Sequence, residues 1–217
     1  MWRALLVAAA AAATTACAFT DIPLTLPTKG LPETVPGGRG RQVVVVVPFA
    51  DDRSIQRCGM QKNGYNMDTA DAVCQSEPEA WIAQQLADEL RASGFTVLAE
   101  GSPHRPGALE VEGSLIKVFV EPVLGAWTAS LEADLSVELH ASTETGLRAS
   151  RTFFVKGWKG GVAASTMQPF HTALARAAHG IVEEMVRSII ELMDDYPELG
   201  AREGTSRSLA SLPWGNR

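Results

Sequence analysis

Three cysteines are the residues of this chain whose type and spacing most clearly point to a reaction. Cys17 follows Thr14-Thr15-Ala16, behind the apolar run Ala4 to Ala13 and a short positive start at Arg3. That is the layout of a cleaved secretory signal. A cysteine directly after the small residues is where a lipoprotein signal leaves a diacylated N-terminus. Thr14 stands where such a motif ordinarily carries leucine, so a plain secretory signal and an N-terminal anchor are the competing readings. The run is short for an anchor, since a spanning helix needs ~20 apolar residues.

Setting Cys17 aside leaves Cys58 and Cys74, a pair suited to a disulfide in an oxidising compartment. Closing the polar segment between them would contribute ~3 kcal/mol by restricting the unfolded chain. Free thiols or a metal pair are the alternatives. No CxxC, and no His or Cys at suitable spacing nearby, supports a metal. Asp51-Asp52-Arg53 follows a valine-rich strand, but adjacent side chains there point to opposite sides, so a turn in which Arg53 pairs with an aspartate is expected. His171 and His179, eight residues apart on one helix, would be ~12 Å apart, too far to share a metal. Ser102-Pro103-His104 sits in a turn with no nucleophile elbow, and no P-loop or GxGxxG occurs. These patterns predict no enzyme, no catalytic residue, no metal and no cofactor.

The 217 residues carry a net charge of −6 and no block of like charge. Nucleic acid is therefore not an expected partner, because phosphate neutralisation needs clustered Lys and Arg. The chain divides into a signal (1–16), a lipid anchor with a Pro- and Gly-rich tether (17–41), one domain (42–196) and a disordered tail (197–217). Within the domain, Val43 to Val47 are consecutive valines that read as a buried strand. A loop from Asp51 to about Gln75 holds the cysteine pair. Ser76-Glu77-Pro78-Glu79 combines a capping box with an early proline and starts a helix ending at Gly94. Short and long strands follow at Phe95 to Leu98 and Leu109 to Val120. Then Trp127, Ala129, Leu131, Ala133, Leu135, Val137 and Leu139 alternate with polar residues, a half-buried antiparallel strand. A turn at Thr143 to Gly146 leads to a strand over Leu147 to Trp158. A long helix from about Met167 to Met193 has a core face of Phe170, Leu174, Ala178, Ile181, Met185, Ile189 and Met193. The order β-α-β-β-β-β-α predicts an α+β domain, a mixed and mainly antiparallel sheet with two helices on one face.

Several of these pieces resemble the YajG-like family of bacterial lipoproteins. They are the lipid cysteine with its Pro-containing tether, VVVVVPFADDR, the helix ending ELRASGFTVL, the meander from Leu109 to Trp158 and the long last helix. The resemblance spans about residues 17 to 193. It implies a periplasmic domain anchored to a membrane and brings no catalytic residues with it. It also implies likeness to lipoproteins that assist transporters, secretion pores or cell-wall synthases. The cysteine loop and the tail from Pro197 depart from the pattern. Ala18, in place of aspartate after the cysteine, points to the outer membrane.

Pairing the last two strands about a turn near Glu144 gives partners whose numbers sum to about 288. Leu131, Ala133, Leu135 and Val137 then share the core face with Phe153 and Val155. The opposite face carries Glu132, Asp134 and Glu138, with Lys156 across from Glu132. It also receives Ile116, Val118, Val120, Phe154 and Trp158. An apolar cluster on a solvated face marks a candidate site for an envelope protein partner. Two alternatives are that the tether or cysteine loop covers it, or that a bulge near Lys117 exchanges the faces. A different function, binding of an envelope small molecule, lipid or glycan, would need a pocket between sheet and helices.

Overall fold

A computed structural model describes residues 20–28, 34–103, 107–125, 129–144, 146–161 and 168–196. Their organising element is a strand of 16 residues, β7 (Leu109–Leu124), long enough to be bordered by different partners along its length. On one side β8 (Ala129–Ser142) runs antiparallel along it, and β9 (Arg148–Gly160) runs antiparallel to β8. On the other side three short strands follow one another, all parallel to β7: β2 (Gln42–Val45), β3 (Ala50–Asp51) and β4 (Gly59–Lys62). Beyond β2 lies β6 (Thr96–Ala99), and beyond β4 lie β5 (Asp68–Cys74) and β1 (Ile22–Leu24). The result is a nine-stranded mixed sheet. Helices α1 (Pro78–Ala92) and α2 (Gln168–Asp195) pack on it as an α+β domain.

Of the five valines expected to form a buried strand, Val43 to Val45 do so in β2, while Val46 is half-buried beyond its end and Val47 is 40% exposed. Val43, Val44 and Val45 are all buried, and Val43 and Val45 pair with both β6 and β7. α2 presents its apolar stripe to the sheet, with Leu174, Ile181, Met185 and Ile189 wholly buried. It approaches β9 closely at two glycines. A Cβ on Gly157 would lie 2.0 Å from the Ala173 carbonyl oxygen, and one on Gly180 would lie 2.8 Å from Val155. Arg151, on the core-facing side of β9, is accommodated by α2: its Nη1 donates to Ser188 Oγ at 2.6 Å.

The segment expected to be a loop is instead a hairpin. Cys58 and Cys74 are joined as a disulfide across its base, and the Cys58 N–H donates to the Ala72 carbonyl at 2.8 Å. The described part of the tether is built into the domain rather than standing off it. β1 pairs in parallel with β5, Leu24 and Leu26 enter the core, and Trp81 Nε1 donates to the Pro27 carbonyl at 2.6 Å. β1, β4 and β5 have little intrinsic strand preference, and non-local pairing decides their conformation. α1 begins at Pro78 with Glu77 at its N-cap and no side-chain cap bond, so the expected Ser76 capping box is not formed. Its C-terminus stops as expected, with Gly94 at φ +90°. The signal, Cys17, Trp127, His104 and the tail from Pro197 lie outside the described residues.

Candidate interaction face

One face of the meander β7-β8-β9 carries the helices and the other carries no helix among the described residues. The β8–β9 register pairs residues whose numbers sum to 290, for example Glu132 with Trp158 and Asp134 with Lys156. This differs by two from the expected register. A shift of two leaves every side chain on its expected face. Phe154 and Trp158 therefore stand on the open face, at 53% and 57% exposure. Four residues along a strand separate them by ~13 Å. The Trp158 ring lies along the backbone of Gly160, where a Cβ would come within 2.4 Å of the ring. Glycine at 160 is thus what allows the indole to lie flat on the sheet.

Val118 and Val120 do not belong to this face. The β7–β8 ladder slips between Leu115 and Lys117, so Ile116 is the extra residue of a bulge. Past a bulge the alternation changes phase. Val118 and Val120 turn into the core, at 1% and 0% exposure, while Ile116 stays exposed. The expected cluster of five is reduced to Ile116, Phe154 and Trp158. The same slip puts Phe119 on the open face, opposite Asp134. Phe119 is nevertheless buried, with Arg57 from the segment before β4 at 5.8 Å and Lys117 at 5.9 Å from its ring centroid. The cysteine hairpin region thus covers one aromatic of this face and leaves Phe154 and Trp158 uncovered.

Between the two exposed aromatics stands Lys156. It is ion-paired with Glu132, lies 3.4 Å from Asp134 and sits 6.0 Å from the Phe154 ring centroid. The hydrogen bond to Glu132 raises the Lys156 ammonium above the usual lysine range. Asp134 also accepts from Lys117, so the middle of the face is a charge network of both signs.

The groups that might have supported chemistry are separated or engaged. Asp51 accepts two hydrogen bonds from the buried Arg53 guanidinium, at 2.7 and 2.9 Å. That bond holds its carboxyl below the usual aspartate range. His140 lies 4.0 Å from Glu138. Among the described residues no group of three His, Cys, Asp or Glu side chains is arranged to hold a metal. A cleft of about 210 Å³ between the helices is lined by Gln85, Asp88, His179 and Val182. A second, of about 280 Å³, lies beside β6 and is lined by Val45, Val47, Arg91 and Val97. Both are below the ~300–1,000 Å³ of typical small-molecule sites.

Sequence patterning did not reveal the exposed hairpin tip. Tyr65 and Met67 project there at 87% and 57% exposure. Asn63 Oδ1 shapes the turn by accepting from the backbone N–H groups of Tyr65 and Met67. An Asn-Gly pair at 63 and 64 was the available turn signal.

The sequence matches no protein-family model, and no curated protein matches it. Similarity is found among solved structures. A Xanthomonas campestris protein of the DUF330 family superposes with a TM-score of 0.54 at 12% identity, over 80% of this chain and 98% of that one. The two share a fold. A Helicobacter pylori homolog of a neuraminyllactose-binding hemagglutinin gives 0.43 at 14% identity, over 79% of this chain and 93% of that one. An Acinetobacter baumannii minor lipoprotein gives 0.37 at 10% identity, over 67% and 95%. These two superpositions fall below the level that defines a common fold.

Proposed function

We propose that this protein is a lipid-anchored envelope lipoprotein whose domain binds another envelope protein and performs no catalysis. The observation that carries the proposal is the open sheet face, where Phe154 and Trp158 are held exposed on a rigid strand. Aromatic side chains fixed on a framework are the usual anchors of protein contacts. Anchoring is supported by Cys17 and the residues before it, and Ala18 favours the periplasmic side of the outer membrane. No helix among the described residues is long and apolar enough to cross a membrane. Within this reading the chain is a YajG-like lipoprotein, an accessory to a larger envelope machine. A small-molecule binder is the weaker reading, because both clefts are small and half polar.

The test is co-purification from detergent-solubilised membranes. A partner recovered with the native chain should be lost with Phe154→Asp and strongly reduced with Trp158→Ala. Val73→Asp, an exposed change on β5, should leave recovery intact. Undiminished recovery with Phe154→Asp would remove the open face from the proposal. Cys17→Ser should abolish the acyl mass and release the chain from the membrane fraction. An unmodified mass in the native chain would refute anchoring.

A further inference from the structure

The sheet ends unevenly. At its far edges β1 has 3 residues and β6 has 4, whereas β9 has 13 and pairs only with β8 among the described elements. A long unpaired edge offers a row of N–H and C=O groups to any extended chain. Ser136 Oγ donates to the Phe153 carbonyl, which places that carbonyl on the β8 side. Alternate residues then direct their backbone groups to the free side. Arg176 confirms the phase, because its Nη1 reaches round from α2 to the Trp158 carbonyl at 2.6 Å. Thr152, Phe154 and Lys156 thus turn their backbone groups to the free edge while their side chains stand on the open face. A strand added at this edge would lie beside both exposed aromatics.

The charge of β9 says which strand fits. It carries Arg148, Arg151, Lys156 and Lys159 and no carboxylate, in a chain of net charge −6. Arg151 is engaged by Ser188 and lies 4.0 Å from Glu191, and Lys156 is engaged by Glu132 and Asp134. Arg148 at one end and Lys159 at the other form no ion pair among the described residues, and Arg176 adds a cation beside Trp158. We infer that the β9 edge accepts an extended segment of a partner protein with an apolar centre and carboxylates at both ends. Main-chain hydrogen bonds would supply affinity and the flanking side chains specificity. Arg176 takes the Trp158 carbonyl, so the open edge runs from Arg148 to Lys156, ~26 Å, with Lys159 and Arg176 as cations just beyond its end. A second copy fits poorly, since antiparallel β9 strands would set the Arg148 of each copy beside the Lys159 of the other with no carboxylate on either strand. The chain's own residues 197–217 fit no better, with Arg202, Arg207 and Arg217 against Glu198 and Glu203.

The inference rests on the open face being a contact surface, and its test uses purified full-length chain so that it can fail separately from partner recovery. Two fluorescent twelve-residue peptides of alternating valine and threonine are compared by anisotropy, one ending in glutamate pairs and the other in lysine pairs. The glutamate peptide should bind at least tenfold more tightly, and the double variant R148E/K159E should reverse the preference. Thr152→Pro removes an edge donor without touching the β8 ladder. It should weaken binding at least tenfold while circular dichroism stays unchanged. Equal binding of the two peptides would overturn the inference, as would full binding by folded Thr152→Pro. A chain that sediments as a dimer dissociated by Thr152→Pro would overturn it in favour of a second copy. Binding that appears only after residues 197–217 are removed would overturn it in favour of the tail.

Discussion

Gly157→Ala is expected to destabilise the domain by about 3 kcal/mol, the upper part of the range for overpacking a well-filled core. The added methyl would lie 2.0 Å from the Ala173 carbonyl oxygen and 2.5 Å from the Ala177 nitrogen. These are backbone atoms of α2, so no side-chain rotation relieves the overlap. The helix must lift from β9, loosening the burial of Leu174 and Ile181 together. For a domain of this size the melting temperature should fall by about 6–12 °C. Gly161→Ala is the contrasting change: nothing lies within 4 Å of its added carbon. It sits at φ +69° in the loop after β9, so its cost is local backbone strain alone, about 1 kcal/mol. Thermal unfolding of both variants checks the prediction. A Gly157→Ala protein as stable as the Gly161→Ala one would mean that α2 does not seat on β9 as described.

Removing the disulfide should have an effect of the same size by a different route. The C58A/C74A variant is expected to lose about 3 kcal/mol, the loop-closure entropy of a sequence separation of 16. The loss should be uneven across the fold. β5 is held between β4 and β1, and β1 contributes Leu24 to the core only through that pairing. Amide exchange should therefore quicken in every strand as global unfolding becomes easier, and most in β1, β4 and β5, which also gain a local opening of their own. Uniform acceleration across all strands would contradict the assignment of β1 to a locally stapled unit. No acceleration at all would show that the bridge adds nothing to the hairpin.

What sequence patterning revealed depended on whether local periodicity and tertiary pairing agreed. The alternation from Ala129 to Leu139 and the stripe of α2 each repeat long enough to define a buried face without knowledge of any partner. Phe154 and Trp158 were legible for the same reason, since a register shift of two cannot change a residue's face. Alternation alone assigns Val118 and Val120 to the open face. A single extra residue, Ile116, reverses the phase, and the alternative of a bulge near Lys117 is the one the ladder adopts. β1, β4 and β5 were illegible for another reason. Strands such as Asp68–Cys74 carry few residues of strand preference, and they exist because they pair with segments distant in sequence. The burial of Phe119 depended likewise on Arg57, which reaches it from another part of the chain. Arg151, on a core face by pattern, is accommodated by Ser188 and Glu191 of α2, 37 and more residues away in sequence.

The contact role of the open sheet face is tested most directly by maleimide labelling of a cysteine placed at Phe154. The native Cys58 and Cys74 are bridged and Cys17 is replaced by serine in purified chain and blocked by its proposed lipid in membranes, so the introduced thiol reports on its own surroundings. In purified chain Phe154→Cys should label as fast as Val47→Cys, an exposed position in the bend between β2 and β3. In intact membranes Phe154→Cys should become protected while Val47→Cys keeps its rate. Equal labelling of both positions in both preparations would show that the face stays bare in the envelope and would contradict its role as a contact surface.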